Sequence, residues 1–313
     1  MKRFALVMSV VVCLNTLAVD DRFQEYLAPN PVHLVAHNVD DLVIQGVDQI
    51  NKNGERFTAN AGDGKQAYGV SYSLLDPLNK VHNLRAPRST RYFARELLAY
   101  CRGSLKVEEG LAQAAPMWKS LADDNGEICS NYGYYVFHQK VPEFEDQTQY
   151  EWVMTQLARN LDTRKAFINI NQTDHKRRLS KDFPCTLGMQ FFVRQDKLCC
   201  TVSSRSTDIY TGLPYDIGFF AFVTELVCKD LKERCPKKTQ KLGLGYVTMA
   251  TSFTQIYDKT SAQALALLSK EGKRYETDMP EIGDAAATLR DIYDQTYTTP
   301  VMKWIYNNAE LGK

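Results

Sequence analysis

The segment from Ile217 to Lys232 constrains the fold more than any other part of the chain. It reads as a helix, and Phe219, Phe220, Val223, Leu226 and Val227 carry its apolar surface round most of the circumference. A helix of that kind cannot rest on a surface. Other elements must enclose it on several sides. Pro214, just ahead of it, suits a helix start. The chain supplies the enclosing elements. Arg91 to Cys101 (RYFARELLAYC) has helical spacing at Phe93, Leu97, Leu98 and Cys101, and Gly103 can stop it. Tyr150 to Leu161 is a second amphipathic helix. Ala67 to Leu75, Ala166 to Ile170, Met189 to Val193 and Leu198 to Ser203 are rich in β-branched and aromatic residues and read as strands. Strands and helices interleave, so the class is α/β or α+β. No linker interrupts the 313 residues, which read as a single domain spanning 1–313.

Several function classes drop out on composition. The formal charge is +1, so no global field draws the chain onto nucleic acid or an anionic membrane. The eight cysteines form no C-x-x-C pair and no zinc spacing, and they read as mostly reduced, buried thiols. The five histidines are scattered, which leaves no metal site to expect. P-loop, G-x-S-x-G and H-E-x-x-H motifs are absent, and Gly243–Gly245 (GLG) reads as a turn or bulge. Asn51 to Lys65 is polar and Gly-rich and reads as a mobile loop. His175 to Arg178 (HKRR) reads as a solvated surface loop. Lys2 and Arg3 before an apolar run from Phe4 to Leu14, with Ala18 following, have the pattern of a signal peptide, and the run is too short to span a bilayer.

Chemistry concentrates in Pro184 to Phe222 (PCTLGMQFFVRQDKLCCTVSSRSTDIYTGLPYDIGFFAF). A cysteine follows a proline, then come two strands, Arg-Ser-x-Asp, Gly-x-Pro and the apolar helix. This order resembles the thymidylate synthase family, whose signature runs Pro-Cys-His, a strand pair, Arg-Ser-x-Asp and Leu-Gly-x-Pro-Phe-Asn-Ile. Three further stretches resemble the family in the same order. They are RELLAYCRG around Glu96, Trp118 with DDNGEICSNYGYY, and LDTRKAFIN with Arg164 and Lys165. The resemblance covers roughly Glu55 to Tyr257. It implies an α/β thymidylate synthase-like fold, with a large mixed sheet packed by helices and a sheet-mediated homodimer.

The chemistry asks for these residue types. Carbon 6 of a pyrimidine is a poor electrophile, but a thiolate adding there turns carbon 5 into a nucleophile. The resemblance gives that role to Cys185, with Arg205 supplying nearby positive charge. It makes Arg205 and Ser206 a phosphate cradle, joined by Arg164 and Lys165 from the second subunit and by Arg56. Lys165 keeps the charge of the family's arginine and loses its fork. Glu96 becomes an acid/base relay acting through ordered water, unless it pairs on the helix surface with Arg91 or Arg95. Tyr132 joins the catalytic groups. Gln255 and Tyr257 flank the sugar. Trp118, Asp208 and Gly212 lie on the folate side, with Asp208 bonding folate or nearby backbone.

The departures from the family pattern are informative. Asp216 stands where the family's uracil-reading asparagine would be. A carboxyl can accept from the cytosine amino group and share a proton with N3, and it offers uracil O4 no donor. Asp216 is also a good helix cap if the helix starts near Ile217. Thr186 replaces the histidine after the cysteine, and Gln255 replaces a histidine near the sugar. The tail NNAELGK lacks the closing end of a synthase, so water can reach the site. The resemblance is therefore to the deoxycytidylate and CMP hydroxymethylase branch. The expectation is a cytoplasmic homodimer that converts dCMP or CMP to the 5-hydroxymethyl nucleotide with 5,10-methylenetetrahydrofolate as co-substrate. No metal, membrane or nucleic-acid partner is expected, and the signal-like segment is discounted because folate and nucleotides are intracellular. The competing readings are methylation of dUMP or dCMP, a non-catalytic homologue that binds nucleotide or RNA, and a cysteine hydrolase.

Overall fold

The computed structural model describes residues 31–311 apart from residue 60, residues 177–180 and residues 273–278. The signal-like segment lies outside the described residues. The strands are β1 (Val32–Ala36), β2 (Glu55–Ala59), β3 (Gly62–Leu74), β4 (Lys140–Val141), β5 (Phe144–Thr148), β6 (Phe167–Asn169), β7 (Thr186–Arg194), β8 (Lys197–Asp208) and β9 (Gly243–Tyr257). The α-helices are α1 (Val39–Asn53), α2 (Arg88–Arg102), α3 (Gln149–Arg159), α4 (Leu213–Arg234), α5 (Asp258–Leu265), α6 (Ala285–Asp294) and α7 (Pro300–Ala309). Seven strands form one mixed sheet in the order β1-β3-β9-β8-β7-β6, with β2 paired to β3, and β4–β5 is a separate hairpin. β1–β3 and β8–β9 are parallel, and the other pairs are antiparallel.

Helix α4 is the apolar segment of the sequence, extended at both ends. Leu213, Ile217, Phe220, Phe222, Val223, Leu226, Val227 and Leu231 are all fully buried. The helix packs on β8 and β9 on one side and against α1, α2, α3 and α6 on the others. Glu225 sits inside this enclosure, where an unpaired charge would be costly. Lys80 Nζ meets its Oε2 at 2.8 Å, and Ile282 N donates to its Oε1 at 2.7 Å. On α1, Asn38 caps the first turn by accepting from Asp41 N at 2.8 Å. Helix α2 ends at Gly103, whose φ of 63° is left-handed and suits glycine.

Two expectations are corrected. The loop expected over Asn51 to Lys65 is instead the end of α1 followed by β2 and β3, which pair in register from Glu55↔Gln66 to Ala59↔Gly62. Gly64 reflects close packing, because a Cβ there would collide with the Ile256 carbonyl of β9, whereas Gly62 supplies a φ of 122°. His175 is buried rather than solvated, with Nε2 2.8 Å from the Tyr135 hydroxyl, and Arg177 and Arg178 lie outside the described residues. The GLG stretch does carry a bulge, since the β8–β9 register shifts between Leu198 and Cys200. Among the described residues no helix is long and apolar enough to cross a membrane.

Gly133 shows how tightly the helices deliver their side chains. A Cβ there would collide with the Tyr100 carbonyl on α2, a backbone group that cannot rotate away. Gly133→Ala is therefore expected to destabilise the fold by about 1–3 kcal/mol. Urea unfolding checks this, and an unchanged midpoint would refute the close approach.

Candidate active site

Cys185 precedes β7 directly, behind Phe183 and Pro184. The first pairs of β7 carry a register shift between Thr186 and Gly188. A bulge of this kind bends the strand and re-aims its neighbours, and it sits one residue from the thiol. The Cys185 carbonyl is fixed by Arg205 N at 2.9 Å and Ser204 Oγ at 3.0 Å. The Arg205 guanidinium donates to the Phe183 and Pro184 carbonyls at 2.7 and 3.2 Å and lies over the Phe183 ring. Sheet pairing thus holds a cation beside the thiol. Burial nevertheless pushes the Cys185 thiol up to about 11, with Arg205 pulling it down and Asp216 and Asp182 pushing it further up. Arg205 is where the sequence reading puts it, but dehydration outweighs it.

The far ends of β8 and β9 bring the next groups together. Ser206 and Gln255 face each other, with Gln255 Nε2 donating to Ser206 Oγ at 2.9 Å. Tyr257 follows two residues on, its ring edge-on to Phe57 at 5.6 Å. Asp208 Oδ1 accepts from the Tyr210 and Thr211 amides at 2.7 and 2.9 Å, and Gly212 N donates to the Asp208 carbonyl at 2.8 Å. Asp208 therefore bonds nearby backbone and builds the turn that launches α4.

Asp216 lies in the first turn of α4, which starts at Leu213, four residues earlier than the capping alternative requires. The N-cap is Gly212, so that alternative falls. Burial raises the Asp216 carboxyl to about 7. Glu96 projects from α2 into the same space. It is 5% exposed, and burial first, then the Asp216 charge, raise it to about 8, opposed by hydrogen bonds from Tyr92 and Tyr100. The surface pairing falls too: Arg91 bonds Glu310 at 3.0 Å, and Arg95 bonds the Ala309 carbonyl at 2.6 Å. Tyr132 stacks on Tyr100 at 5.6 Å and senses both Asp216 and Cys185. Trp118 is half-buried, and its indole N–H approaches the Tyr92 hydroxyl without closing a well-aligned hydrogen bond.

Three sequence candidates stand apart. Arg56 is exposed on β2 and forks onto Asp258 at 2.7 and 2.8 Å. Arg164 and Lys165 are exposed and precede β6. Gln190 Nε2 donates to the Arg164 carbonyl at 3.2 Å, which sets Arg164 along β7 from Cys185 by about 15 Å at the usual strand rise. Two neighbours were not singled out in the sequence. Tyr92 donates to Glu96 Oε1 at 3.0 Å, and its spacing four residues before Glu96 is a legible helix signal. Asp182 anchors the loop before Cys185 by accepting from Cys129 N and Ser130 N, both at 2.7 Å, a long-range contact with no local signal. Among the described residues no group of three His, Cys, Asp or Glu could hold a metal ion.

The family model described as thymidylate synthase matches residues 39–299. Over 156 residues the chain is 28% identical to the deoxycytidylate 5-hydroxymethyltransferases of Enterobacteria phages T6 and T4. That match covers 49% of this chain and 61% of each relative.

The dehydrated Glu96 carboxyl has a signature in stability. Its value is raised from 4.5 to about 8, so folding takes up a proton. The stabilisation is fully present below pH 4.5 and is lost as pH rises through about 8. Glu96→Gln keeps an acceptor for Tyr92 and removes the titration. The variant should match the parent near pH 4.5 and exceed it at pH 8 by an amount on the order of 1–3 kcal/mol. Denaturant unfolding at both pH values tests this, and a pH-independent difference would contradict it.

Proposed function

The chain belongs to the thymidylate synthase family, and we propose that it is a homodimeric, cytoplasmic (d)CMP 5-hydroxymethyltransferase. The observation that carries the base assignment is Asp216. Its half-buried carboxyl is raised to about 7, so both the protonated and the ionised forms are present near pH 7, and the helix cap is Gly212 rather than Asp216. Cytosine presents an amino donor and a ring acceptor side by side. A carboxyl that accepts with one oxygen and donates with the other matches both. The two phage relatives, named for deoxycytidylate, support the same base.

The family uses 5,10-methylenetetrahydrofolate as co-substrate, which supplies the one-carbon unit. Two polar atoms there fit a polar heterocycle: Trp118 Nε1 and Thr207 Oγ1 are buried without well-formed partners, and a side chain on Gly212 would crowd Thr207 Oγ1 and the Asp208 backbone. Cys185 adds through sulfur to C6 and makes C5 nucleophilic. Arg205 and Ser206 hold the nucleotide phosphate, and Gln255 and Tyr257 the sugar. With the one-carbon unit on C5, loss of the C5 proton and departure of tetrahydrofolate leave an exocyclic methylene, and water adds to that carbon as Glu96 receives the water proton. Return of the electron pair through C5 and C6 expels the thiolate. Tyr132 lines the pocket beside the base.

Arg164 and Lys165 serve the second subunit's phosphate. Their distance from Cys185 along β7 supports a shared site, as do Leu187 and Phe253, each 43% exposed on strands of the large sheet. Arg56 joins the phosphate by leaving Asp258.

Two experiments test these assignments. Cys185→Ala and Arg164→Ala should each be inactive, and mixing the two should restore partial activity through heterodimers with one intact site. Turnover by Cys185→Ala alone, or no rescue after confirmed subunit exchange, would refute the corresponding role. Asp216→Asn should lose (d)CMP turnover and gain relative preference for dUMP by roughly 5- to 150-fold. An unchanged preference in the folded variant would return dUMP, and methylation, to the front.

A further inference from the structure

Helix α2 carries three polar groups on one stripe at i, i+4 and i+8: Tyr92, Glu96 and Tyr100. Tyr100 faces Phe219 and Tyr132 with its ring, and its hydroxyl lowers Glu96 without a hydrogen bond of good geometry. Tyr92 is placed differently. Its hydroxyl donates to Glu96 Oε1 at 3.0 Å, and its ring packs on Tyr215 of α4 at 4.5 Å. The Trp118 indole N–H comes up behind the same hydroxyl. Tyr215 is itself the residue before Asp216. Tyr92 therefore lies between the buried Glu96 carboxyl, Tyr215 and the Trp118 indole.

We propose that Tyr92 is a positioning residue for Glu96: it occupies Oε1, fixes the carboxyl rotamer, and leaves Oε2 to handle the proton of the attacking water. This rests on Glu96 being the water-handling group. A carboxyl free to rotate would offer either oxygen and would lose directed proton transfer. Donation from a phenol also favours the ionised carboxylate, so Tyr92 sets how readily Glu96 gives up its proton. The other groups facing the pair are Asp216 and Tyr100 around the carboxyl, and Tyr215, Arg85 and Trp118 around the phenol and its partner ring. Among them Asp216 opposes ionisation of Glu96, and Tyr100 assists it. Tyr92 makes the hydrogen bond at 3.0 Å, so its removal acts on Glu96 directly.

The test uses the full chain labelled with ¹³C at glutamate carboxyls. The Glu96 resonance is assigned by its loss in Glu96→Gln and titrated in the protein without substrate. Tyr92→Phe should raise the apparent Glu96 titration by about one pH unit, a roughly tenfold gain in proton affinity. The pH profile of hydroxymethylation should move in the same direction, with kcat falling about tenfold or more and nucleotide KM changing little. A titration unchanged in a folded Tyr92→Phe protein overturns the proposal. If that variant does not fold, 3-fluorotyrosine at position 92 keeps the shape and strengthens the donor. The titration should then fall, and no movement is the contrary result. Because the titration is read without turnover, a protein with a shifted Glu96 and no hydroxymethylase activity would overturn the functional reading and leave the Tyr92 contact standing.

Discussion

Packing α4 against the sheet and four helices strips much of the water from the groups around its first turn, and that dehydration governs the site more than any single contact. Asp216, Glu96 and the Cys185 thiol all stand above their ordinary values, and burial is the largest cause for each. A charge on Asp216 raises the other two, so a neutral Asp216 eases their ionisation. Arg205 is tied to the Phe183 and Pro184 carbonyls and is too weak to reverse this. The arrangement stores protons at the place where the proposed chemistry must move them. It does so at a cost in stability, as functional sites often do.

The division of labour follows the architecture. The sheet carries the nucleophile and the anion-facing groups, because strand ends and a bulge present Cys185, Arg205, Ser206 and Gln255 along one edge of the pocket. The helices carry the acids. The Asp208 turn joins the two, passing the chain from β8 into α4 within four residues. A shift in that turn would move Asp216 relative to Cys185 without altering either element internally.

Much of this was legible in the sequence, for identifiable reasons. The apolar helix 217–232 announced its own burial, and the spacing of Phe93, Leu97, Leu98 and Cys101 announced α2. The order of motifs from Glu96 to Tyr257 pointed to the groups that the fold gathers. What stayed hidden depends on pairing between distant segments. Residues 55–65 look like a loop because glycine and polar residues dominate, yet Gly64 is there to let β9 approach. His175 sits in a basic run, yet a tyrosine forty residues away in the chain draws it inside. The anchoring of the Cys185 loop by Asp182 has no periodic or local signal. Asp216 as a dehydrated carboxyl in the first turn rather than a cap needed the true start of α4, an element boundary that propensity alone does not fix.

The buried Lys80–Glu225 pair differs in kind from the carboxyls of the pocket, because its two charges cancel where they lie. Its main cost is the water both ions gave up. That cost shrinks on warming, since ion hydration carries a strongly negative entropy. Apolar burial, by contrast, levels off per unit area as temperature rises. The joint between α4 and the segment ahead of α2 therefore strengthens relative to its apolar surroundings as the protein is heated, and it is on cooling that this ion pair contributes least.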